Sequence, residues 1–291
     1  MNQIQNCPLC GHQKFKPVLS AVDYTVSKDT FNIVACEQCK FQFTNPIPEE
    51  DKIGAFYKSE SYVSHSSTNK GLINKIYQRV RKHTLKTKSD LVLNVANGKE
   101  VLDIGAGTGH FLNQVNHVGL HGKGLEPDED ARAFAKSNFN LDLAPIEKLH
   151  ELEAGSIDVI TMWHVLEHVY HLQNDFTQMV KLLNQNGKLI IAVPNRNSYD
   201  AKIYKAYWAA YDLPIHLYHF TPTDIKALAK QHGMKVEQIL PMKFDAYYVS
   251  MLSEKYKGGN VFKAFFNGWI SNMKAKNDSY SSQIYILSKE S

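Results

Sequence analysis

Hydrophobic and polar positions follow different patterns in the two parts of the chain, and the pattern changes near Lys99. After Lys99, short apolar runs alternate with amphipathic stretches, which predicts strands that alternate with helices. Such alternation is typical of an α/β fold, in which helices cover both faces of a parallel sheet. The clearest predicted strands are 101–104, 122–126, 157–162 and 188–193, and the predicted helices between them are 110–118, 129–137 and 175–184.

Residues 1–97 lack this alternation. The runs 18–22 and 31–35 are rich in β-branched, aromatic and apolar residues, which predicts two short strands. Pro46 and Pro48 mark a boundary, and apolar residues at helical spacing predict a helix over 71–95. The sequence therefore predicts three regions: 1–45, 46–97 and 98–291.

All four cysteines lie in the first region, in two C-x-x-C pairs: Cys7 with Cys10 and Cys36 with Cys39. Two such pairs supply four thiolates for a tetrahedral zinc site, and Gly11 helps the first pair to turn. Disulfides or a redox-active pair are the alternatives. They fit less well, because the sequence shows no secretory leader and a redox pair needs a βα unit. Because four thiolates leave the metal no open position, we expect a structural zinc ion in a zinc ribbon.

Composition and charge exclude few kinds of protein. The chain has 291 residues, of which 43% are hydrophobic and 21% charged, as is ordinary for a globular protein. With no leader pattern and no apolar run of about 20 residues, we expect a cytoplasmic protein without a membrane partner. The net charge of +4 permits an anionic partner without requiring one, so nucleic acid is not the expected partner.

One basic run falls in the predicted helix over 71–95. Its members are Arg79, Arg81, Lys82, His83, Lys86 and Lys88. We interpret the run as a solvated helix face, where charged side chains of a helix usually lie. A phosphate-binding patch is the alternative.

The strongest signal for a ligand site follows the predicted strand 101–104. Asp103 comes near the end of this strand, and three glycines precede the next helix: Gly105, Gly107 and Gly109. Glycines let the backbone turn sharply beside a ligand, and a helix N-terminus favours a carboxylate. A dinucleotide-binding loop reads G-x-G-x-x-G, whereas here the third glycine comes one residue early. The acidic residue suits a cationic amine, and Glu126 at the end of the following strand suits the hydroxyls of a ribose.

These motifs resemble the cofactor motifs of class I S-adenosylmethionine-dependent methyltransferases, and the resemblance covers residues 98–240. It implies a Rossmann-like sheet of seven strands, in which 283–287 is antiparallel and pairs with 236–240, with an inserted helix between them. It also implies that Asp103 and the glycine loop hold the methionine part of the cofactor, that Glu126 holds its ribose, and that Ile146 flanks its adenine. The implied cofactor residues are Asp103, Gly105, Ala106, Gly107, Gly109, Glu126, Pro127, Ile146, Glu147, Trp163 and His164. Tyr62, which lies outside the resemblance, is a separate candidate for closing over the cofactor from the N-terminal side.

The segment after the strand 157–162 carries the catalytic candidates His168, His164 and Glu167. Methyl transfer needs an aligned nucleophile and often a base of near-neutral pKa, for which histidine is suited. The segment resembles the corresponding loop of ubiquinone-pathway O-methyltransferases, which have Glu where this chain has His164. In that group acidic and histidine side chains are associated with a divalent cation, so a second metal ion is a further candidate cofactor. Local hydrogen bonding is the structural alternative for all three side chains.

His216 and His219 are candidates for substrate binding, with core packing as the alternative role. The leading functional prediction is methyl transfer to a small molecule, either to oxygen or to a sugar carbon. The ribbon supports the second acceptor, because it loosely resembles the zinc-binding region of bacterial sugar C-methyltransferases. An RNA methyltransferase is the other candidate, since some ribosomal RNA guanine methyltransferases pair a cysteine-rich N-terminus with this fold. A homodimer is a further expectation.

Overall fold

The computed structural model of the chain describes residues 1–57, 72–276 and 278–290, with the backbone alone over 72–78. The strands are β1 (Phe15–Val22), β2 (Thr30–Cys36), β3 (Gln42–Thr44), β4 (Glu100–Ile104), β5 (His121–Leu125), β6 (Ile157–Trp163), β7 (Leu183–Pro194), β8 (Tyr218–His219), β9 (Met234–Pro241) and β10 (Ser282–Lys289). The α-helices are α1 (Leu72–Val95), α2 (His110–His117), α3 (Glu129–Phe139), α4 (Leu172–Leu182), α5 (Tyr199–Tyr204), α6 (Pro222–Gln231), α7 (Lys243–Lys257) and α8 (Val261–Lys274).

Six of these strands form the main sheet, in the order β5, β4, β6, β7, β10, β9. The first four are parallel, and β10 pairs antiparallel with both β7 and β9. Residues 189–193 of β7 are fully buried, because apolar clusters pack against both faces of the sheet. The predicted α/β fold is confirmed, and so is the antiparallel pairing of the last two strands.

The seventh strand that the resemblance implies is reduced to one parallel bridge, between Leu125 and Ala144. Ala144 donates its N–H to the carbonyl of Gly124 at 3.0 Å and accepts the N–H of Glu126 at 2.9 Å. The next residue is Pro145, which has no N–H to donate, so the pairing stops there. The bridge nevertheless holds this segment beside Glu126 at the edge of the sheet.

The cysteine-rich region builds a second sheet in the order β1, β2, β3, β8, and all its pairs are antiparallel. Its last strand, β8, comes from the α/β region. The ring of Phe41 lies 5.9 Å from that of Tyr218 and 5.4 Å from that of Phe220, so aromatic packing continues across the junction. The predicted ribbon therefore shares a sheet and a core with the rest of the chain.

Local signals set several helix boundaries. α6 begins with a capping box, in which Thr221 and Asp224 bond each other's backbone N–H and Pro222 occupies the first turn. α4 begins at Leu172, ahead of the predicted start at residue 175.

Two helices, α7 and α8, fill the connection between β9 and β10, where the resemblance implies an inserted helix. Within the described part of the chain, no helix combines the length and apolar character needed to cross a bilayer.

Candidate active site

The glycine loop between β4 and α2 contains three glycines with left-handed backbone angles. The φ angles of Gly105, Gly107 and Gly109 are +72°, +52° and +78°. A side chain at Gly105 would also collide, because a Cβ there would lie 2.4 Å from Cγ2 of Val165. The N–H of Gly105 donates to the carbonyl of Leu125 at 2.8 Å. The loop is thus held against the end of β5 and against the segment that follows β6.

Two buried carboxylates lie beside the glycine loop. Asp103 accepts the hydroxyl of Thr161 at 2.6 Å, and Glu126 accepts the N–H of Gly107 at 2.7 Å. Burial raises the pKa of Asp103 to about 7, against the opposing effects of Thr161 and Lys88. Both carboxylates therefore face one cleft, and Asp103 is a buried acid whose ionised form needs a cation beside it.

Lys88 of α1 points into this cleft. Its Nζ lies 4.3 Å from the ring centroid of Trp163, and its charge interacts with Asp103 and Asp245. Burial lowers the pKa of Lys88. Our interpretation of the basic run as a solvated face is wrong for this member.

The adenine side of the predicted site lies at the sheet edge beside Glu126. Ile146 is half-buried at the start of the 3-10 helix Ile146–Glu151, which follows the bridge at Ala144. Glu147 and Pro127 are exposed. Tyr62 lies outside the described residues, so its closure over the cofactor stays a prediction.

His164 begins the segment after β6 with a left-handed φ of +58°. Its Nε2 lies 3.0 Å from Oδ2 of Asp245, and its Nδ1 lies 3.4 Å from Oε1 of Glu167. Burial opposes a charge on this ring, but the two carboxylates raise the pKa of His164 to about 9. At neutral pH His164 is therefore an imidazolium, which cannot accept a proton, and its ion pairs suit a positioning role.

Glu167, His168 and His216 form a buried cluster in which one ligand atom of each residue lies within 4.8 Å of the others. Apart from the ion pair of Oε1 with His164, both carboxylate oxygens of Glu167 lack a hydrogen-bond partner among the described residues, although the side chain is fully buried. Nδ1 of His216 lies 2.9 Å from the carbonyl of Ala210, and Nδ1 of His168 lies 3.0 Å from that of Ile215. Because a carbonyl only accepts, each Nδ1 carries the proton and each Nε2 keeps its lone pair.

Electrostatics keeps the two rings of this cluster neutral. Burial lowers the pKa of His168 and lowers that of His216 well below its ordinary value. The Oη of Tyr57 lies 2.9 Å from Nδ1 of His168, and the ring of Tyr57 packs beside the imidazole ring. A buried carboxylate and two neutral imidazoles with free Nε2 atoms are a donor set for a divalent cation.

His219 lies in the junction between the ribbon and the α/β region. Its Nε2 is 3.2 Å from the hydroxyl of Thr44, and its carbonyl accepts the Nε–H of Arg196 at 2.8 Å. Burial and Arg196 lower the pKa of His219 to about 3. These contacts favour core packing, the alternative that the sequence left open, over substrate binding.

The four cysteines are free and converge, with each Sγ within 4.8 Å of the others. The two C-x-x-C turns have the same backbone bonds: Cys7 accepts the N–H of Gly11 at 2.9 Å, and Cys36 accepts that of Lys40 at 3.0 Å. Gly11 and Lys40 share a left-handed φ, of +76° and +66°. This repeated geometry aims four sulfurs at one point, as a tetrahedral metal site requires.

Sequence reasoning missed three residues that contact the candidate site: Lys88, Asp245 and Tyr57. Lys88 belongs to the basic run that we interpreted as a solvated helix face, and helical spacing alone does not show which of these basic side chains points toward the protein interior. Asp245 is remote in sequence and reaches His164 through the inserted helix α7. Tyr57 lies five residues before Tyr62 in the sequence. Its aromatic side chain near that candidate was the one sequence feature that pointed to Tyr57.

Strand order, glycine loop and paired carboxylates together define a methyltransferase-type α/β enzyme. The chain belongs to the family described as "Methyltransferase domain", whose family model matches residues 77–239, more than half of the chain.

Curated relatives support the same class. The ubiquinone biosynthesis O-methyltransferase of Aromatoleum aromaticum is 25% identical over 177 residues, which cover 56% of this chain and 73% of that protein. The protein of the same name from Nitrosococcus oceani is 27% identical over 176 residues, covering 56% and 72%. The chain is therefore an enzyme that uses S-adenosylmethionine.

Solved structures share the fold. An S-adenosylmethionine-dependent methyltransferase from Archaeoglobus fulgidus matches with a TM-score of 0.51 at 18% identity, covering 72% of this chain and 94% of that one. Magnesium protoporphyrin IX methyltransferase from Synechocystis, solved with bound S-adenosylhomocysteine, matches with a TM-score of 0.54 at 13% identity, covering 83% and 100%.

Proposed function

We propose that this enzyme transfers a methyl group from S-adenosylmethionine to a hydroxyl oxygen of a small molecule. The observation that carries the proposal is the buried cluster of Glu167, His168 and His216, which lies next to the glycine loop through Val165. Relatives named as O-methyltransferases support oxygen as the acceptor atom. The proteins named above include no RNA methyltransferase, so the RNA alternative gains no support from them.

Three side chains suit the cofactor by charge. Asp103 would hold the ammonium group, and Lys88, beside Asp103, would hold the carboxylate of the methionine part. Glu126 accepts the N–H of Gly107 with one oxygen and that of Asp128 with the other, and it would accept the ribose hydroxyls with its remaining lone pairs. Nε1 of Trp163 is buried and has no hydrogen-bond partner among the described residues, so it would be a further donor to the cofactor. The sulfonium supplies an activated methyl group, and these residues align it.

The acceptor hydroxyl must lose its proton, and the buried cluster is placed to promote this. Glu167, His168 and His216 would hold a divalent cation of the kind that accepts imidazole ligands, which lowers the pKa of a bound hydroxyl. His164, held by Asp245, would fix the orientation of Glu167 from the other side. If no cation is bound, Nε2 of His168 is the free proton acceptor of the same cluster.

Metal analysis of purified variants tests the cation. We expect two metal ions per chain in the wild type, one in Glu167→Gln, and two in the control Glu151→Gln, which changes an exposed carboxylate. We also expect Glu167→Gln to slow methyl transfer by about a hundredfold or more. One metal ion in both the wild type and Glu167→Gln, with methyl transfer lost only in His168→Asn, would instead make His168 the base.

A labelling experiment tests the reaction. Methyl-labelled S-adenosylmethionine is offered with three acceptor sets: phenols and catechols, nucleotide sugars, and ribosomal RNA. We expect label in the ether of a hydroxyl compound. Label that enters a sugar carbon or RNA alone contradicts the proposal.

We further propose that Cys7, Cys10, Cys36 and Cys39 hold a structural zinc ion and that the enzyme works in the cytoplasm. The converging sulfurs support the metal, and four free thiols suit a reducing compartment. The metal analysis above counts this ion as the one that remains in Glu167→Gln.

A further inference from the structure

The outer face of α8 is apolar and exposed. Phe262 is 90% exposed, Phe265 and Met273 are each 65% exposed, and Phe266 and Trp269 are about half exposed. Their spacing places them on one stripe of the helix. We call these five side chains the α8 stripe. Large apolar groups so exposed mark an interaction surface more often than an accident of packing.

The inner face of α8 carries small and polar side chains, whereas a helix usually turns its apolar face toward the protein interior. Gly268 lies so close to α7 that a Cβ there would be 2.9 Å from the carbonyl oxygen of Ala246. Ser271 donates to Asp200 at 2.7 Å, and Asn267 donates to the hydroxyl of Tyr204 at 2.8 Å. Because these bonds anchor the polar face, the helix cannot rotate to bury its aromatic side chains without breaking them.

The exposed charged side chains of the segment from Lys243 to Lys276 are all lysines. Between Lys243 and Lys276, the lysines are exposed: Lys243, Lys255, Lys257, Lys263, Lys274 and Lys276. The acidic residues of this segment are Asp245, which pairs with His164, and Glu254, which is buried and has its Oε1 3.9 Å from Nζ of Lys263. The helical hairpin therefore presents aromatic side chains to solvent, with exposed lysines around them. The segment from Lys243 to Lys276 has no exposed acidic residue that would balance the charge of these lysines.

We propose that the α7–α8 hairpin docks on an anionic lipid surface. Phe262, Phe266 and Trp269 enter the boundary between head groups and acyl chains, where amphipathic aromatic residues are stable. The surrounding lysines face the lipid phosphates, and each of them adds to the attraction. The helix lies in the plane of the surface and does not cross it, which agrees with the absence of a spanning helix in the described residues.

This proposal revises our expectation of no membrane partner. That expectation rested on the lack of a long apolar run, which excludes a spanning segment but not adsorption of a helix. The cytoplasmic leaflet carries anionic lipids, so the surface is available to a cytoplasmic enzyme.

A second copy of the chain is the competing occupant, and charge disfavours it. In a two-fold symmetric dimer the same patch faces itself, so the lysines of one hairpin would oppose those of the other. The described segment offers no exposed carboxylate to neutralise them. An anionic bilayer provides both the apolar layer and the opposite charge.

The hairpin also touches the active site from its inner side. Asp245 of α7 holds His164, while the neighbouring residue Phe244 is 49% exposed and contacts the ring of His83. A docked hairpin would therefore place the surface close to the site. The docking itself does not depend on which acceptor is methylated.

Vesicle co-sedimentation of the full chain tests the docking. The probes are vesicles of phosphatidylcholine alone and vesicles with about one third phosphatidylglycerol. We expect binding to the anionic vesicles only. The double variant Phe262→Ser/Phe266→Ser should weaken it at least about tenfold, and Lys257→Glu/Lys263→Glu by a similar factor.

Matched variants serve as controls. Leu93→Ser changes another exposed apolar residue, and Lys230→Glu/Lys235→Glu reverses two exposed lysines elsewhere. Both should bind like the wild type. Absence of wild-type binding to anionic vesicles, or unchanged binding of Phe262→Ser/Phe266→Ser, overturns the proposal. Light scattering that shows a wild-type dimer and a monomeric Phe262→Ser/Phe266→Ser, with no vesicle binding, assigns the stripe to a second copy instead.

Discussion

Asp103 shows how one buried side chain can report the chemistry of a ligand. A carboxylate removed from water is costly unless a cation compensates it, which is why its pKa lies near 7. Thr161 and Lys88 offset only part of this cost. A ligand that brings an ammonium group to Asp103 completes the compensation, whereas a ligand that brings a phosphate would add to the cost.

Cofactor binding should therefore depend on pH through Asp103. Below a pH of about 7 the carboxyl must lose its proton before it can pair with an ammonium group, so affinity should fall by up to about tenfold per pH unit. Calorimetry with S-adenosylhomocysteine between about pH 5.5 and 7.5 measures this. Asp103→Asn is the control, and it should bind weakly at every pH. A wild-type affinity that does not change over this range contradicts the role of Asp103.

At the scale of elements, the short pair of β3 and β8 connects the cysteine site to the buried cluster. Thr44 donates its N–H to the carbonyl of Leu217 at 2.9 Å and its hydroxyl to that of His216 at 2.7 Å. Leu217 in turn donates to the carbonyl of Glu167 at 2.8 Å. The ribbon therefore supports two members of the cluster through backbone hydrogen bonds.

Removing one of the four proposed zinc ligands should loosen β8 before it affects the main sheet. In Cys36→Ser we expect faster amide hydrogen exchange at Leu217 and His219, because local opening follows the loss of the metal. Residues of β4 should keep their protection. Mass spectrometry of exchanged peptides compares this variant with Val18→Ser, a control on the exposed side of β1. Equal protection of β8 in both variants argues against a structural coupling.

At the scale of the whole molecule, periodicity predicted the sheet well because buried parallel strands are continuous apolar runs. The same reasoning could not find β8, because a strand of two residues is too short to show a pattern of hydrophobic and polar positions. It also could not pair His216 with Glu167, since their approach depends on the path of the chain between them. The aromatic residues of α8 were visible in the sequence, but an apolar stripe normally predicts a buried face, and here the polar face is buried.

Some residues of the candidate site could likewise be predicted from the sequence, and others could not. Asp103, the glycines and Glu126 were predictable because each lies at or just beyond the carboxyl end of a strand, and these ends of a parallel sheet meet at one edge. Lys88 and Asp245 were not, because they reach the cleft from α1 and α7, outside the strand-end pattern. The sequence thus predicted which strand-end residues would form the candidate cofactor cleft, and it could not predict the charges that tertiary packing adds to them.

Calorimetric titration of the full chain with S-adenosylmethionine tests the central claim most directly. We expect the wild type and the surface control Glu151→Gln to bind with the same affinity. Glu126→Gln should bind about ten- to a hundredfold more weakly, because it loses charge-assisted hydrogen bonds to the ribose. Equal affinities of Glu126→Gln and the wild type would contradict the cofactor cleft described here.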